Sequence, residues 1–263
     1  MPIFSTSDDP GSSFPELLRR VGLGTEPLVG ASTDLMRELS LPHATTCVAL
    51  TYADGVVMAG DRRATSGNLI SHKTMEKVFP ADRFSGVAIA GAAGPAIEMV
   101  KLFQLQLEHY EKVEGVVLSL EGKANQLSQM VRSNLPAAMQ GLAVVPLFAG
   151  YDLLREVGRL FQYDVTGGRY EETDYVSSGS GSLHASTVVK LGFKPDLTRD
   201  EGIDLVVNGL YRAAEEDSAT GGPDLVRGIF PVVATITAEG YQQVPDDELR
   251  SCVEAIITGG AQS

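Results

Sequence analysis

Residues 41–63 read LPHATTCVALTYADGVVMAGDRR, and the character of the chain changes inside that stretch. A Pro-His-Ala coil runs into two adjacent threonines, Thr45 and Thr46. From there the apolar residues fall into two strand-length runs, 45–53 and 56–60. The Asp54-Gly55 dipeptide between them is a hairpin signal, because short hairpin loops need backbone conformations that Asp and Gly adopt cheaply. Two features of the stretch need a reason: a strand that begins on two hydroxyls, and the different texture of everything in front of it.

In front, residues 1–44 are rich in Ser, Asp, Gly and Pro and carry no strand pattern. Phe14, Leu17, Leu18 and Val21 recur at helical spacing and make one short amphipathic helix. A segment of this composition cannot bury enough apolar surface to fold alone. It reads equally as a disordered tail or as a pro-segment that leans on the rest.

Behind the hairpin, a strand over 86–90 leads into Gly91-Ala92-Ala93-Gly94-Pro95. The proline suits the first turn of a helix. That helix carries Ile97, Val100, Phe103, Leu107 and Tyr110 on one stripe and stops at Gly115. A second helix presents Ala124, Leu127, Val131 and Leu135, and Pro136 should kink or shorten it. Strands follow over 143–151, 159–165 and 169–177. Thr198 and Glu201 form a capping box that opens a third helix through Ile203, Val206, Val207, Leu210 and Ala214. A strand over 229–237 and a helix over 245–257 close the pattern. Strands, then paired helices, then strands, then helices imply mostly antiparallel sheets with helices outside them, an α+β layout in one domain after residue 45.

Composition narrows the function. Against 34 Asp and Glu the chain has 21 Lys and Arg, a net charge of −13, which argues against a general nucleic-acid or membrane-surface binder. Two cysteines, Cys47 and Cys252, make neither a disulfide framework nor a zinc pattern, so a reducing cytoplasm is expected. No apolar run is long enough to span a membrane, and the N-terminus lacks the basic and then apolar order of a secretory signal. The familiar catalytic motifs are missing: no G-x-S-x-G elbow, no H-E-x-x-H, no phosphate-loop lysine. Cys47 reads as a small hydrophobe in a strand, and His43, His72, His109 and His184 as surface or satisfied histidines.

The two threonines offer a different chemistry. Cutting the Ala44–Thr45 bond would leave Thr45 with a free α-amine beside its own hydroxyl. Such an amine has a reference pKa of roughly 7.7–8.0 and can act as a base near neutrality. Pairing a hydroxyl with the N-terminal amine is one way to activate a weak nucleophile. The front segment would then hide the amine until the site is assembled. A site of this kind also needs a nearby cation, an anion to hold it, and backbone donors for an oxyanion. Asp61 in AGDRR, Lys77 in EKVF and Gly91 after its strand are the candidates.

Taken together, TT at 45–46, GDRRAT at 60–65, EKVF at 76–79, AGAAG at 90–94, GSGS at 179–182 and EDSATGGPD at 216–224 resemble the β-subunits of the 20S proteasome. These are N-terminal-nucleophile threonine proteases. LEHYEK at 107–112, AAMQG at 137–141, GYD at 150–152 and DSATGGPDLVRGI at 217–229 are similar to the actinobacterial type. The likeness runs in order over 45–258. Asp61, Lys77 and Gly91 lie 16, 32 and 46 positions beyond Thr45, the family's spacings, and counting from Thr46 would shorten each by one.

The resemblance implies a division of roles. Thr45 Oγ1 attacks the peptide carbonyl with its own amine as base, Lys77 supplies positive charge, Asp61 fixes Lys77, and the Gly91 N–H stabilises the oxyanion. Ser180, Asp217 and Thr220 support the amine, although position 220 is usually Ser in the family. Thr65 and Ala93 hold substrate backbone as an added strand. Ala64, Met75, Phe79, Ile89 and Ala93 line an apolar specificity pocket that favours apolar or aromatic side chains. Ala44 stands where the family usually has Gly, a departure that bears on self-cleavage.

It further implies a pro-segment over 1–44 removed on maturation and a catalytic domain over 45–263. The expected architecture is a four-layer αββα sandwich of two antiparallel sheets between helix layers. No cofactor or metal is expected. The implied partners are other β-subunits in heptameric rings, stacked α7β7β7α7 with α-subunit rings, an ATPase unfoldase ring, and tagged, unfolded protein substrates. A non-catalytic ring subunit on the same fold is the rival reading, and a small-molecule amidase of the same nucleophile class a weaker one.

Overall fold

A computed structural model of the chain describes residues 45–66 and 69–260. The short helix expected around Phe14–Val21 and the residue Ala44 lie outside the described residues, as does His43. Two five-stranded antiparallel sheets carry the fold. The first has strand order β10 (Tyr175–Gly179), β1 (Thr46–Tyr52), β2 (Gly55–Gly60), β11 (Val232–Thr237), β12 (Gly240–Gln243). The second runs β5 (Val78–Asp82), β6 (Ser85–Gly91), β7 (Val144–Asp152), β8 (Val157–Tyr163), β9 (Arg169–Glu172). A small ribbon pairs β3 (Ala64–Ser66) with β4 (Leu69–His72).

The alternation of side chains along each strand assigns every residue to a layer. In β1, Cys47 and Ala49 point between the sheets while Val48 and Leu50 point to helices. In β7, Leu147 and Ala149 face the other sheet and Phe148 faces helices. The inter-sheet core is completed by Val56, Met58, Ala88, Leu160, Val232 and Ile236. Both faces of both sheets are therefore covered, which explains why β1 and β2 read as continuous apolar runs rather than as alternating ones.

Outside the first sheet pack α4 (Ser182–Gly192), α5 (Arg199–Glu216) and α6 (Asp246–Gly260). Outside the second pack α1 (Ala93–Glu114) and α2 (Leu120–Ser133), followed by the single turn α3 (Leu135–Ala138). This is the αββα sandwich the resemblance implies. Among the described residues no helix is long and apolar enough to cross a membrane.

The local sequence signals hold unevenly in the fold. Gly115 ends α1 in a left-handed conformation with φ of 71°, and Thr198 with Glu201 caps α5 through a complete capping box. The chain leaves α2 at Asn134, two residues before Pro136, as proline demands. The face α1 buries is Ala96, Met99, Val100, Phe103 and Leu107, so Ile97 and Tyr110 lie at its margins.

The hairpin loop is Ala53-Asp54, since Tyr52 pairs with Gly55. Gly55 already belongs to β2, where a Cβ would stand 2.1 Å from the Ile236 carbonyl oxygen, so close packing of β11 rather than the turn requires glycine there. The expected strand 169–177 is two strands in two sheets: β9 pairs with β8, and after Thr173-Asp174 the chain crosses to pair β10 with β1. β3, β4, β12 and α4 are additional to the elements the sequence pattern predicts. α4 buries only Ala185 and Val189, too thin an apolar stripe to stand out in SLHASTVVKLG.

Candidate active site

β1 and β2 end side by side, and their ends build the site. Thr45 immediately precedes β1 and is 5% exposed. The Asp61 N–H, just past β2, donates to the Thr46 carbonyl at 3.1 Å. Asp61 and Lys77 are both wholly buried, with Lys77 Nζ 2.6 Å from Asp61 Oδ1. The same Nζ donates to the Arg63 carbonyl at 2.5 Å. Asp61 Oδ1 also accepts the Thr46 N–H at 2.9 Å, while Oδ2 accepts the N–H of Arg63 at 2.9 Å and of Gly221 at 2.7 Å. Four donors on one carboxylate, three of them backbone, compensate the cost of burying the ion pair. The pair sits one peptide unit from Thr45.

A second cluster approaches Thr45 from β10 and the end of α5. The Ser180 N–H donates to the Thr45 carbonyl at 2.8 Å. Gly179 makes that approach possible: its φ is +103°, and a Cβ there would fall 1.7 Å from the Thr45 oxygen. Ser180 Oγ and Thr220 Oγ1 both donate to Asp217 Oδ2 at 2.6 Å, and the Ala219 N–H reaches Oδ1 at 3.1 Å. Burial works against ionisation of Asp217, but these donors outweigh it and, with the positive influence of His184, hold its carboxyl below the usual range.

Hydrogen bonds thus bring together the neighbourhoods of Thr45, Asp61, Lys77, Ser180, Asp217 and Thr220. The other sequence candidates are placed by backbone. Gly91 closes β6 opposite Val144 with φ of +111°, and Ile89, two residues earlier, donates its N–H to the Lys77 carbonyl at 2.9 Å. That bond runs β6 alongside Lys77. Met75 donates its N–H to the Arg62 carbonyl at 3.0 Å, and Met75 and Phe79 pack against the cluster that contains Ile89. Ala64 opens β3 directly after Arg63, Thr65 lies opposite Ile70, and Ala93 is the first residue of α1.

Cys47 offers no thiolate. It is fully buried, burial pushes its thiol up to about 12, and its Sγ lies 3.6 Å from the Ile89 carbonyl oxygen. His72 and His109 are exposed and His184 is half-buried. Sequence reading missed four contributors: Thr46 and the backbone of Arg63, Gly181 and Gly221. Thr46 is wholly buried, and its Oγ1 lies 2.6 Å from Thr220 Oγ1 and accepts the Gly181 N–H at 2.9 Å. The doubled threonine and the Gly-rich GSGS and TGG stretches were the available signals.

Comparison with known proteins gives this geometry its context. A family model described as Proteasome subunit matches residues 41–226. A "Proteasome subunit beta" of Acidimicrobium ferrooxidans is 59% identical over 249 residues, covering 95% of this chain and 90% of that protein. A "Proteasome subunit beta" of Streptomyces griseus is 58% identical over 231 residues, covering 88% of this chain and 80% of that protein. With most of the chain matched and the two-sheet sandwich in place, the chain belongs to the proteasome subunit family and is of its β type.

Proposed function

We propose that this chain is a catalytic β-subunit of a 20S proteasome core, a threonine endopeptidase whose nucleophile is Thr45. Cleavage of the Ala44–Thr45 bond removes residues 1–44 as a pro-segment and leaves 45–263 as the working domain. The freed α-amine takes the Thr45 hydroxyl proton, the oxygen adds to the scissile carbonyl, and the amine returns the proton to the leaving nitrogen; water then releases the acyl group by the reverse sequence. Lys77 provides a fixed positive charge beside the reacting oxygen and Asp61 holds Lys77 in place. The Gly91 N–H takes the oxyanion. Ser180, Asp217 and Thr220 position the amine. Thr65 and Ala93 pair with substrate backbone, and Ala64, Met75, Phe79, Ile89 and Ala93 receive an apolar or aromatic side chain.

The observation that carries this reading is the wholly buried Asp61–Lys77 pair, whose carboxylate is tied to the N–H of the residue after Thr45. A purely structural subunit has no use for a desolvated ion pair at that place, since an apolar pair would fill the same volume at less cost. Assembly follows from family membership: β-rings, here proposed as heptamers, stacked with α-rings. An ATPase ring feeding tagged, unfolded proteins and a cytoplasmic setting complete the proposal.

Intact-mass measurement of the particle assembled with its α-partner tests it. Loss of residues 1–44, together with hydrolysis of a fluorogenic peptide ending in an aromatic residue, is the expected result. Thr45→Ala should assemble, keep its full mass and hydrolyse nothing. An unprocessed wild-type particle without peptidase activity would make this a structural subunit.

A further inference from the structure

The second threonine, Thr46, has no part in the reaction proposed for Thr45. Its surroundings define one direction of hydrogen bonding. Thr46 Oγ1 accepts the Gly181 N–H at 2.9 Å and lies 2.6 Å from Thr220 Oγ1. Thr220 Oγ1 donates to Asp217 Oδ2 at 2.6 Å. A hydroxyl has one proton, and Thr220 has given its own to the carboxylate. The Thr46 proton must therefore point at Thr220. The chain of donors runs Gly181 N–H, Thr46 O–H, Thr220 O–H, Asp217 Oδ2.

The two hydroxyl links are closed to solvent, and the Gly181 link leaves no space beside it. Thr46 and Thr220 are wholly buried. Gly181 has no room for a side chain: a Cβ would lie 2.5 Å from Thr220 Oγ1, 2.6 Å from Thr46 Oγ1 and 3.2 Å from Asp217 Oδ2. Ser180 joins the same oxygen of Asp217 through its own hydroxyl, and its N–H holds the Thr45 carbonyl. A chain of hydroxyls ending on a carboxylate strengthens link by link, because each donor polarises the next.

We propose that the Thr46 hydroxyl is a positioning residue for peptide hydrolysis. Through Thr220 it sets the orientation of Asp217, and with Asp217 that of Ser180, so that the backbone of Thr45 is held with its reacting atoms in register. This rests on Thr45 being the nucleophile. It gives the adjacent threonines different work: one hydroxyl reacts and the other, locked behind it, aligns. β-branching at position 46 serves the same end by restricting the rotamers through which the hydroxyl could leave the chain.

The test compares Thr46→Val, Thr46→Ser and Gly181→Ala with wild type in the assembled particle. Intact mass gives the processed fraction, and kcat and KM for a fluorogenic peptide are expressed per processed Thr45. Thr46→Val keeps the shape and removes the hydroxyl, leaving the Gly181 N–H buried and unpaired. The expected result is a fall in kcat of roughly tenfold or more with KM little changed. The acid limb of the kcat profile should move to higher pH as Asp217 loses polarised donors. Thr46→Ser should recover most of kcat and the wild-type profile, and Gly181→Ala should resemble Thr46→Val. Failure of Thr46→Val to process while Thr46→Ser processes also supports the role. A Thr46→Val particle with kcat and pH profile within about twofold of wild type overturns it, as does a Thr46→Ser particle as impaired as the valine variant. If wild type itself is inactive, it is the assignment of Thr45 that has failed.

Discussion

Lys77 and Arg159, two of the three buried cations among the described residues, are held in opposite ways. Lys77 pairs with Asp61, and both are wholly buried. Arg159, on β8 of the other sheet and 4% exposed, faces three carboxylates: Asp152 at 3.0 Å, Glu171 at 2.6 Å and Glu121 at 2.7 Å. Glu121 and Glu171 reach solvent, with side chains 42% and 43% exposed. Arg159 also stacks over Phe161, as Arg169 does, and Arg169 shares Glu121. The arginine network joins α2 to β7, β8 and β9 with spare partners and water at its rim. The lysine pair is closed to bulk solvent, and its acid is satisfied by backbone from three separate places. Redundancy suits a staple, whereas a single fixed geometry suits the role proposed for Lys77, a charge held in one position beside Thr45.

That contrast can be broken by mutation, and the largest effect belongs to the lysine. Lys77→Met leaves Asp61 ionised and buried without its counter-charge, which should lower unfolding free energy by about 3–5 kcal/mol. Peptidase activity should fall about 10²–10⁴-fold. Combining it with Asp61→Asn removes both charges and should recover part of the stability and none of the activity. Denaturant midpoints and peptide hydrolysis separate the two readouts. Recovery of activity in the double variant would remove the case for Lys77 as a catalytic charge.

Arg159→Met should act on stability alone. Its acids can turn to solvent, apart from the mostly buried Asp152, so a loss of about 1–3 kcal/mol is expected with kcat unchanged. The measurement is a paired denaturation curve and peptide assay; a drop in kcat would show that the two networks are coupled through the sheets.

Glu171→Gln should be smaller still, within about 1 kcal/mol, because this pair is half-exposed and has alternatives. Its sign with pH is defined. The Arg159 guanidinium holds the Glu171 carboxyl below its ordinary value, against a smaller opposing effect of burial. A depressed folded-state pKa contributes stability above the unfolded value of about 4.3, lost as pH falls through the folded value. The difference between Glu171→Gln and wild type should therefore be present at neutral pH and vanish in acid. Urea titrations at pH 7 and at pH 3 measure it.

The two networks were unequally legible in the chain. Asp61, Lys77 and Gly91 stood out because each breaks an apolar strand boundary at a spacing the family shares. Ser180, Asp217 and Thr220 stood in Gly-rich stretches that resemble the same family. Arg159 gave no sign of itself: an arginine beginning an apolar run looks like any solvated strand end, and Glu121 and Glu171 lie on other elements. The split of 169–177 between two sheets was hidden for a related reason, since strand propensity says nothing about which neighbour a strand chooses. Helix α4 went unseen because α5 covers it on one side and its own buried stripe is two residues wide.

By itself the amino-acid order determined the local alternatives: a hairpin after paired threonines, capped helices at Thr198 and before Gly115, a break near Pro136, and the positions of the charged residues relative to Thr45. These follow from backbone sterics and side-chain periodicity, which act over a few residues. Only the folded structure decided that Asp61 receives the N–H of Gly221, 160 positions away, and that Thr46 meets Thr220 across 174. Contacts of that range exist only after both sheets have closed on their shared core, because nothing in the intervening chain holds those groups together until burial does.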